Sequence, residues 1–473
     1  MQKKLIALAV AGLASSAAFA QTNVVVYGVA DGTFDYVWQS GSKAQSQTFT
    51  TSTTPAGVTT VLTDTFSSQG NDVDFTRVSA NSSYIGFKGS EDLGNGLKAI
   101  FQYEMTVRFD AGTGPTADRD SFVGLSHDKA GTIVLGNLTG PTRALGAALD
   151  VNPGATGIGA NSGVIGKIAG STLKSGVVAG LTSTAATSGI LFPAGSATAT
   201  TNLGYTCGKS STCTSIFDTR WANSIAYLSP SWGGFSFAAA YVANENKTPD
   251  YETIYTTNNL TGVTTASTAL TPAIINQNIA QQDTTGYDLG IKWEGMGFMG
   301  AVTYNWAQLG DWLDTEVENL RVGGMYTAPN WSIRAMWEKT KLDMNSNAIL
   351  GFNTDQQKFG IGGTFSIGKT TLLAQWYGTN SAKDISNSKA NLYEVGALYN
   401  LSKRTMLKAT WAMIDNDDGS AADFGVNAIG NQSLSVSSTA GTVGGNLVTS
   451  TSSSSSGFGA RNQGIQVGIR HSF

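Results

Sequence analysis

The chain has 473 residues, a formal charge of −4, 57 glycines, 2 histidines and 2 cysteines. Charged residues make up only 13%, against roughly 25% in an ordinary soluble domain. With 41% hydrophobic residues and a mean hydropathy of −0.06, the composition does not suit repeated apolar helices of about 20 residues, and so few His and Cys argue against a metal centre or an imidazole catalyst.

Residues 1–20, MQKKLIALAVAGLASSAAFA, start with Lys3 and Lys4, continue through an apolar stretch from Leu5 to Leu13, and end on Ala18, Phe19 and Ala20. A basic start, a short apolar middle and a small-x-small end predict a secretory signal peptide. The apolar run is too short to cross roughly 30 Å of hydrocarbon. Cleavage would leave residues 21–473 as one domain working outside the cytoplasm, with two lysines fewer and hence a charge of −6 instead of −4.

From residue 24 onward, apolar and polar residues alternate in segments of about 10, the period of a strand with two unlike faces. Such segments start near 24, 76, 97, 119, 131, 219, 234, 285, 298, 319, 330, 356, 369, 390, 403 and 463. In the first half, Leu97, Ala99, Phe101, Tyr103, Met105, Val107 and Phe109 share one face, with Lys98, Gln102, Glu104, Thr106 and Arg108 opposite. Further on, Tyr287, Leu289, Ile291 and Trp293 oppose Asp288, Gly290 and Lys292, and the last segment sets Ile465, Val467, Ile469, His471 and Phe473 against Gly464, Gln466, Arg470 and Ser472. Connections alternate between short turns, at 91–96, 128–131, 229–234, 294–297, 328–330, 367–369 and 401–403, and longer polar loops, notably 39–75, 140–218, 245–284 and 416–462.

An even number of alternating strands with short turns on one side and long loops on the other predicts an all-β, sixteen-stranded antiparallel transmembrane barrel, its short turns periplasmic and its long loops external. In hydrocarbon every backbone N–H and C=O needs a partner, and only a closed sheet supplies them all with strands. A soluble β-sandwich is the competing reading, but it buries its apolar face and does not require alternating loop lengths. The low-complexity stretches 48–60, 183–201 and 433–456 carry few charges and are predicted as mobile external loops. Tyr36, Trp38, Trp221, Tyr227, Trp306, Trp331, Trp376, Tyr377, Tyr393 and Tyr399 fall near strand ends, where they suit either interfacial girdles or ordinary cross-strand aromatic pairs.

Several stretches are similar to the Gram-negative general porin family, especially the trimeric porins of betaproteobacterial and neisserial type. They are Val26-Tyr27-Gly28-Val29-Ala30-Asp31-Gly32, the run from Ser82 to Glu104 with its Glu91-Asp92-Leu93-Gly94-Asn95-Gly96 turn, Ser121-Phe122-Val123-Gly124-Leu125-Ser126, Asn223-Ser224-Ile225-Ala226-Tyr227-Leu228-Ser229-Pro230 and the terminal Phe473. The resemblance implies a homotrimer in the outer-membrane lipid, through which small polar solutes and ions diffuse passively, with no cofactor and no nucleic-acid partner. It also implies that the loop 140–218 folds inward and narrows the lumen opposite basic wall residues.

That loop carries Arg143, Lys167, Lys174 and Lys209 against Asp150, with Asp218 closing it, so an inward position would make it basic. Two arginines expected from the family are missing, because Tyr84 precedes Ile85-Gly86-Phe87 and Asn137 follows Leu135-Gly136; Arg220 is kept. Alternation turns Lys88, Lys98, Arg108, Lys292, Arg321, Arg334, Lys358, Lys408 and Arg470 toward water, with Glu104, Asp110, Asp288, Glu294, Glu338 and Glu394 as the acids. Lys98, Glu104, Arg108, Arg143, Asp150 and Arg220 are the candidate constriction residues. A small basic excess in a narrow passage favours anions; the competing reading is that these charges only solvate the lumen.

Cys207 and Cys213 would close a small disulfide ring in an oxidising compartment, with free thiols or a metal site as alternatives; no His or acidic pair stands near enough in sequence to complete four metal ligands. Residues 157–163 look superficially like a nucleotide loop but have the wrong spacing and read as a flexible segment. An enzymatic barrel would need an oriented His beside Ser or Asp, and the sequence has no Gly-x-Ser-x-Gly. His127 falls in a turn and His471 on the lipid or girdle side. A substrate-specific channel, or a plugged barrel acting as an adhesin, are the remaining alternatives.

Overall fold

The computed structural model describes residues 23–54, 57–67, 72–112, 114–167, 217–218, 220–243, 254–257, 264–267, 284–309, 315–344, 354–383, 387–426, 429, 435–443 and 446–473. The leader 1–20, the pair Cys207 and Cys213, and Lys174 and Lys209 lie outside the described residues.

Sixteen strand positions close into one antiparallel barrel. In chain order they are β1 (Asn23–Ser40), β2 (Val73–Ser79, continued by Tyr84–Gly94), β3 (Leu97–Thr106), β4 (Ser121–His127), β5 (Gly131–Thr139), β6 (Arg220–Leu228), β7 (Phe235–Val242) and β8 (Thr284–Gly295). There follow β9 (Phe298–Leu309), β10 (Thr315–Thr327), β11 (Trp331–Met344), β12 (Thr354–Ile367), β13 (Thr370–Thr379), β14 (Ala390–Asn400), β15 (Thr405–Asn416) and β16 (Arg461–Ser472). Each pairs with its sequence neighbours, and β1 closes the ring by pairing with β16 from Val29↔Ser472 to Ser40↔Arg461. Gly28 and Phe473 exchange backbone hydrogen bonds of 3.3 and 3.1 Å at the seam.

The alternation read from the sequence is the pleat of these strands. On β16, Ile465, Val467 and Ile469 stand exposed on the outer face while Asn462 and Gln466 are buried inside. The second segment differs from its predicted form, because both pieces of β2 pair with the same edge of β1 and the chain steps aside between them. Asn81 takes a left-handed φ of +44° there, and its Nδ2 donates to Asp31 Oδ1 at 3.0 Å, while Ser83 Oγ accepts from the Asp31 N–H at 2.8 Å and donates to Ala80 O. The alternation read from 97 to 110 also ends early. The strand stops at Thr106, and the chain folds back so that Thr106 pairs with Thr116.

Short turns join the strands at one end. Asn95 and Gly96 both have positive φ, +54° and +81°, the backbone that a tight hairpin with the strands' own twist requires. Aromatic rings line both rims of the outer face, with Tyr36 against Trp38 at 5.2 Å and Tyr287 against Trp306 at 5.1 Å on the loop side. On the turn side Phe298, Tyr326 and Trp331 form a row. Trp221 and Tyr377 do not join these girdles: both are 1% exposed and point inward, where packing against segment 140–167 and the wall outweighs an interfacial position.

Three stretches expected as loops contain strands; in 245–284 they are a short hairpin of Ile254–Thr257 with Thr264–Ser267. Residues Lys43–Thr54, Gly57–Ser67, Ser435–Val443 and Asn446–Phe458 form a four-stranded antiparallel sheet in which the first and last pair, tying two distant loops together. Ser- and Thr-rich sequence gives little sign of such pairing, which rests on backbone hydrogen bonds. Among the described residues no helix is long and apolar enough to cross a membrane.

Candidate functional site in the barrel lumen

The loop after β5 turns inward. Its first turn is a helix, α1 (Pro141–Leu149), absent from the sequence-based expectation because Gly140-Pro141 reads equally well as a turn. Proline at the first helical position suits α1, since that N–H has no intrahelical partner. α1 lacks a capping side chain of its own. Asp288 on the wall supplies the cap instead, accepting the Thr142 N–H at 3.2 Å and its hydroxyl at 2.6 Å, with a carboxylate at the positive end of the helix dipole. Close approach requires Gly140, where a Cβ would lie 2.1 Å from Asp288 Oδ2.

A buried ionic cluster on β10, β11 and β12 holds both ends of the segment. Glu338 accepts from Arg321 Nε at 2.7 Å, from Lys358 Nζ at 2.8 Å and from the Gly166 N–H at 2.9 Å. Arg321 also donates to Thr142 O at 2.6 Å and pairs with Asp218 at 3.0 Å, and Lys358 donates to Lys167 O. All three wall residues are 0% exposed. Between these anchors Leu145, Leu149, Ile158, Val164 and Ile165 pack on Met299, Met336, Tyr377, Leu392 and Ile414, an apolar core inside the barrel that excludes water from the seat.

The turn after α1 is organised by Asp150. Its carboxylate accepts the N–H groups of Asn152 and Asn161, both at 2.7 Å, and Gln375 Nε2 at 3.2 Å, while its backbone oxygen accepts from Arg334. Burial pushes this carboxyl above the ordinary range despite those donors. Asn152 and Gln375 each also donate to Glu394 at 2.7 Å, and Tyr377 donates to Leu149 O at 2.8 Å. Residues 157–163, expected to be a flexible segment, are mostly buried and include a single helical turn, Asn161–Gly163. The segment ends on Lys167, whose amine burial pushes down to about 8.

Segment 140–167 thus covers the wall from β8 to β15, and this corrects the charge count made from alternation. Arg321, Lys358, Lys408, Asp288, Glu338 and Glu394 do point inward, but they are buried beneath the segment or in the wall network. Asp150, a candidate for the passage itself, is 1% exposed and shapes the segment from within. Lys98 stands beside the 95–96 turn, ion-paired to the exposed Asp128 at 3.6 Å, toward the turn-side mouth. Arg108 lies past the loop-side end of β3 and pairs with Asp118 at 3.0 Å. The structure does not bring these two together.

What it does bring together is an arginine group on the opposite wall. Arg119 pairs with Glu104 at 3.3 Å and lies over the Tyr84 ring at 4.3 Å; Arg220 pairs with Asp120 at 3.2 Å. Glu104 is fixed by the Tyr27 hydroxyl, which donates to it at 2.8 Å. Arg143 on α1 is near enough for its charge to be felt by Arg119, Arg220, Asp120 and Asp218; burial first, then the Arg220 charge, push its guanidinium down to about 10, so that it remains cationic at neutral pH. Arg143 makes no ion pair among the described residues, in contrast to Arg119 and Arg220. Tyr84 occupies a position where an arginine was expected, and Arg119 puts a guanidinium over it. Arg119 was missed because it falls at the very start of the segment read from near 119, two residues ahead of β4, where alternation gives no inward side.

Among the described residues there is no group of His, Cys, Asp or Glu arranged to hold a metal. His127 Nδ1 accepts backbone N–H groups in its turn, and His471 Nδ1 shares a hydrogen bond with the Thr405 hydroxyl on the outer face. The arrangement provides fixed charge along the inner wall and an inward segment that is buried and hydrogen-bonded to it.

The sequence matches the family described as Gram-negative porin over residues 7–420. It is 25% identical to outer membrane porin protein 32 of Delftia acidovorans over 475 aligned residues, covering all of both chains. It is 26% identical to major outer membrane protein P.IA of Neisseria meningitidis serogroup B, over 49% of this chain and 45% of that one. Among solved structures, an anion-selective porin from Comamonas acidovorans superposes with a TM-score of 0.58 at 20% identity, covering 96% of this chain and 100% of the other. With its closed sixteen-stranded barrel and a family match over most of its length, the chain belongs to the Gram-negative porin family of the outer membrane.

Proposed function

We propose that this porin is a passive diffusion channel with a modest preference for small anions, set where Arg143 of the inward segment meets Arg119 and Arg220 of the wall. The observation that carries this reading is the imbalance at that point: Arg119 and Arg220 each have a carboxylate partner, whereas Arg143 has none among the described residues. In a narrow passage with low-dielectric walls, a cation without a direct ion pair raises the local concentration of counter-ions and lowers that of co-ions, even with Asp120 and Asp218 offsetting part of its field. Glu104 and Asp150 serve as positioning groups, the first for Arg119 and the second for the segment, while Lys98 and Arg108 stand at the two mouths as members of ion pairs. The solved Comamonas relative described as anion-selective agrees in sign.

The same reading includes a homotrimer, as the resemblance implies. Replacing Arg143 with Ala should move the reversal potential in a salt gradient toward the cation side without closing the channel; an unchanged potential would remove Arg143 from the selectivity site. Mass measurement of the detergent-solubilised, unheated protein tests the assembly, three copies being expected and a single copy contradicting it.

A further inference from the structure

The outer face of the barrel is not evenly filled. On β11 to β15 the side chains of Trp331, Phe365, Leu372, Trp376, Tyr393 and Trp411 surround a groove of about 860 Å³ whose lining is almost wholly apolar. Its floor is low because Gly363 has no side chain and Ala374, its register partner on β13, has only a methyl group. The groove runs from the turn-side rim, at Trp331 and the Phe365↔Leu372 pair, toward the loop side at Trp376 and Tyr393. At the turn-side end the next connections carry Lys369, Lys403 and Arg404, all exposed. The Lys369 carbonyl accepts the Asn400 N–H at 2.8 Å, which sets the two turns side by side.

These three cations have no acid in their own turns and no ion pair among the described residues, whereas Lys98 and Lys292, near the turn-side ends of β3 and β8, pair with Asp128 and Glu294. An apolar groove continuous with an uncompensated basic rim is complementary to one kind of membrane molecule, an acyl chain joined to an anionic head. The geometry points to a binding site for an anionic phospholipid of the periplasmic leaflet, one acyl chain lying over Gly363 and Ala374 and the phosphate held by Lys369, Lys403 and Arg404. Basic clusters at the end of a membrane span bind acidic head groups in this way, and the flanking indoles sit at the depth where amphipathic rings are stable. The barrel retains this lipid when bulk lipid is exchanged for detergent.

Native mass spectrometry of the protein, equilibrated with equal amounts of palmitoyl-oleoyl phosphatidylglycerol and phosphatidylcholine, tests the assignment. The wild-type chain should retain phosphatidylglycerol in preference, and each of the three cations should account for about a fivefold share of that preference, equivalent to about 1 kcal/mol. The variant K369Q/K403Q/R404Q should bind the two lipids equally. A bulky residue at Ala374→Leu should reduce retention of both lipids, and Gly363→Leu should do the same, Ala374→Leu being the gentler of the two on the backbone. Single-channel conductance checks that each variant is folded. Equal binding of the two lipids by the wild-type chain, undiminished preference in the charge variant, or retention unaffected by Ala374→Leu would each overturn the site. So would loss of phosphatidylglycerol on adding excess inorganic phosphate together with retention of phosphate itself, which would mark an ion site, or a change in copy number with Ala374→Leu, which would mark the groove as a contact between copies.

Discussion

Glu338 is the residue on which the seating of the inward segment most depends. It is 0% exposed and accepts from Arg321, Lys358 and the Gly166 N–H, so Glu338→Ala leaves two buried cations without their shared anion and a backbone N–H without its acceptor. Removing one partner of a buried pair costs about 3–5 kcal/mol, a factor of at least about 100 in the equilibrium between seated and released segment. The barrel itself should survive, because its closure rests on backbone ladders from β1 to β16 that do not involve this side chain. Two readouts follow. Bilayer recordings of Glu338→Ala should show greater open-channel noise and a changed mean conductance, and trypsin should cut after Lys167, which is 8% exposed in the seated state. Glu338→Gln, which keeps an acceptor but not the charge, should fall between. Wild-type noise and wild-type resistance at Lys167 in a folded Glu338→Ala barrel would refute the clamp.

Other expectations rest on the same seat. Thr142→Val removes the hydroxyl bond to Asp288 and should weaken seating by about 1 kcal/mol, read as a smaller rise in noise than for Glu338→Ala. Leu149→Ala, at a position 0% exposed in the apolar core of the lumen, should cost about 2–5 kcal/mol and raise cleavage after Lys167. The pH dependence has a definite sign. Lys167 titrates near 8 when seated and in the ordinary lysine range when released, so above about pH 8 the released state binds more protons and rising pH favours seating. Noise should therefore fall between pH 8 and pH 10, and Lys167→Met should lose that slope; a rise in noise with pH in the wild type would contradict the assignment.

The strands were legible because a two-sided environment writes a period of two into the chain. Starts read near 24, 97, 131, 298 and 390 coincide with or lie one residue from Asn23, Leu97, Gly131, Phe298 and Ala390. The same pattern gave the correct inward side for Arg321, Glu338 and Lys358 but not their fate, because burial beneath a segment up to 191 residues away in sequence leaves no local trace. α1 was hidden behind Gly140-Pro141, and its cap behind the distance from Thr142 to Asp288. The sheet that joins 43–54 to 446–458 escaped because Ser- and Thr-rich runs carry no apolar and polar alternation in the sequence. Arg143 and Arg220 were named from the resemblance and the charge census; Arg119 required the structure, since only folding stacks it on Tyr84 beside Glu104.

The central claim is that the passage is open and biased toward anions by Arg143 in company with Arg119 and Arg220. The measurement that tests it most directly is current through the purified, unheated protein in a planar bilayer under a KCl gradient. Conductance steps in groups of three with a reversal potential on the anion side are the predicted result, whereas a reversal potential on the cation side, or a silent bilayer containing folded protein, would contradict it.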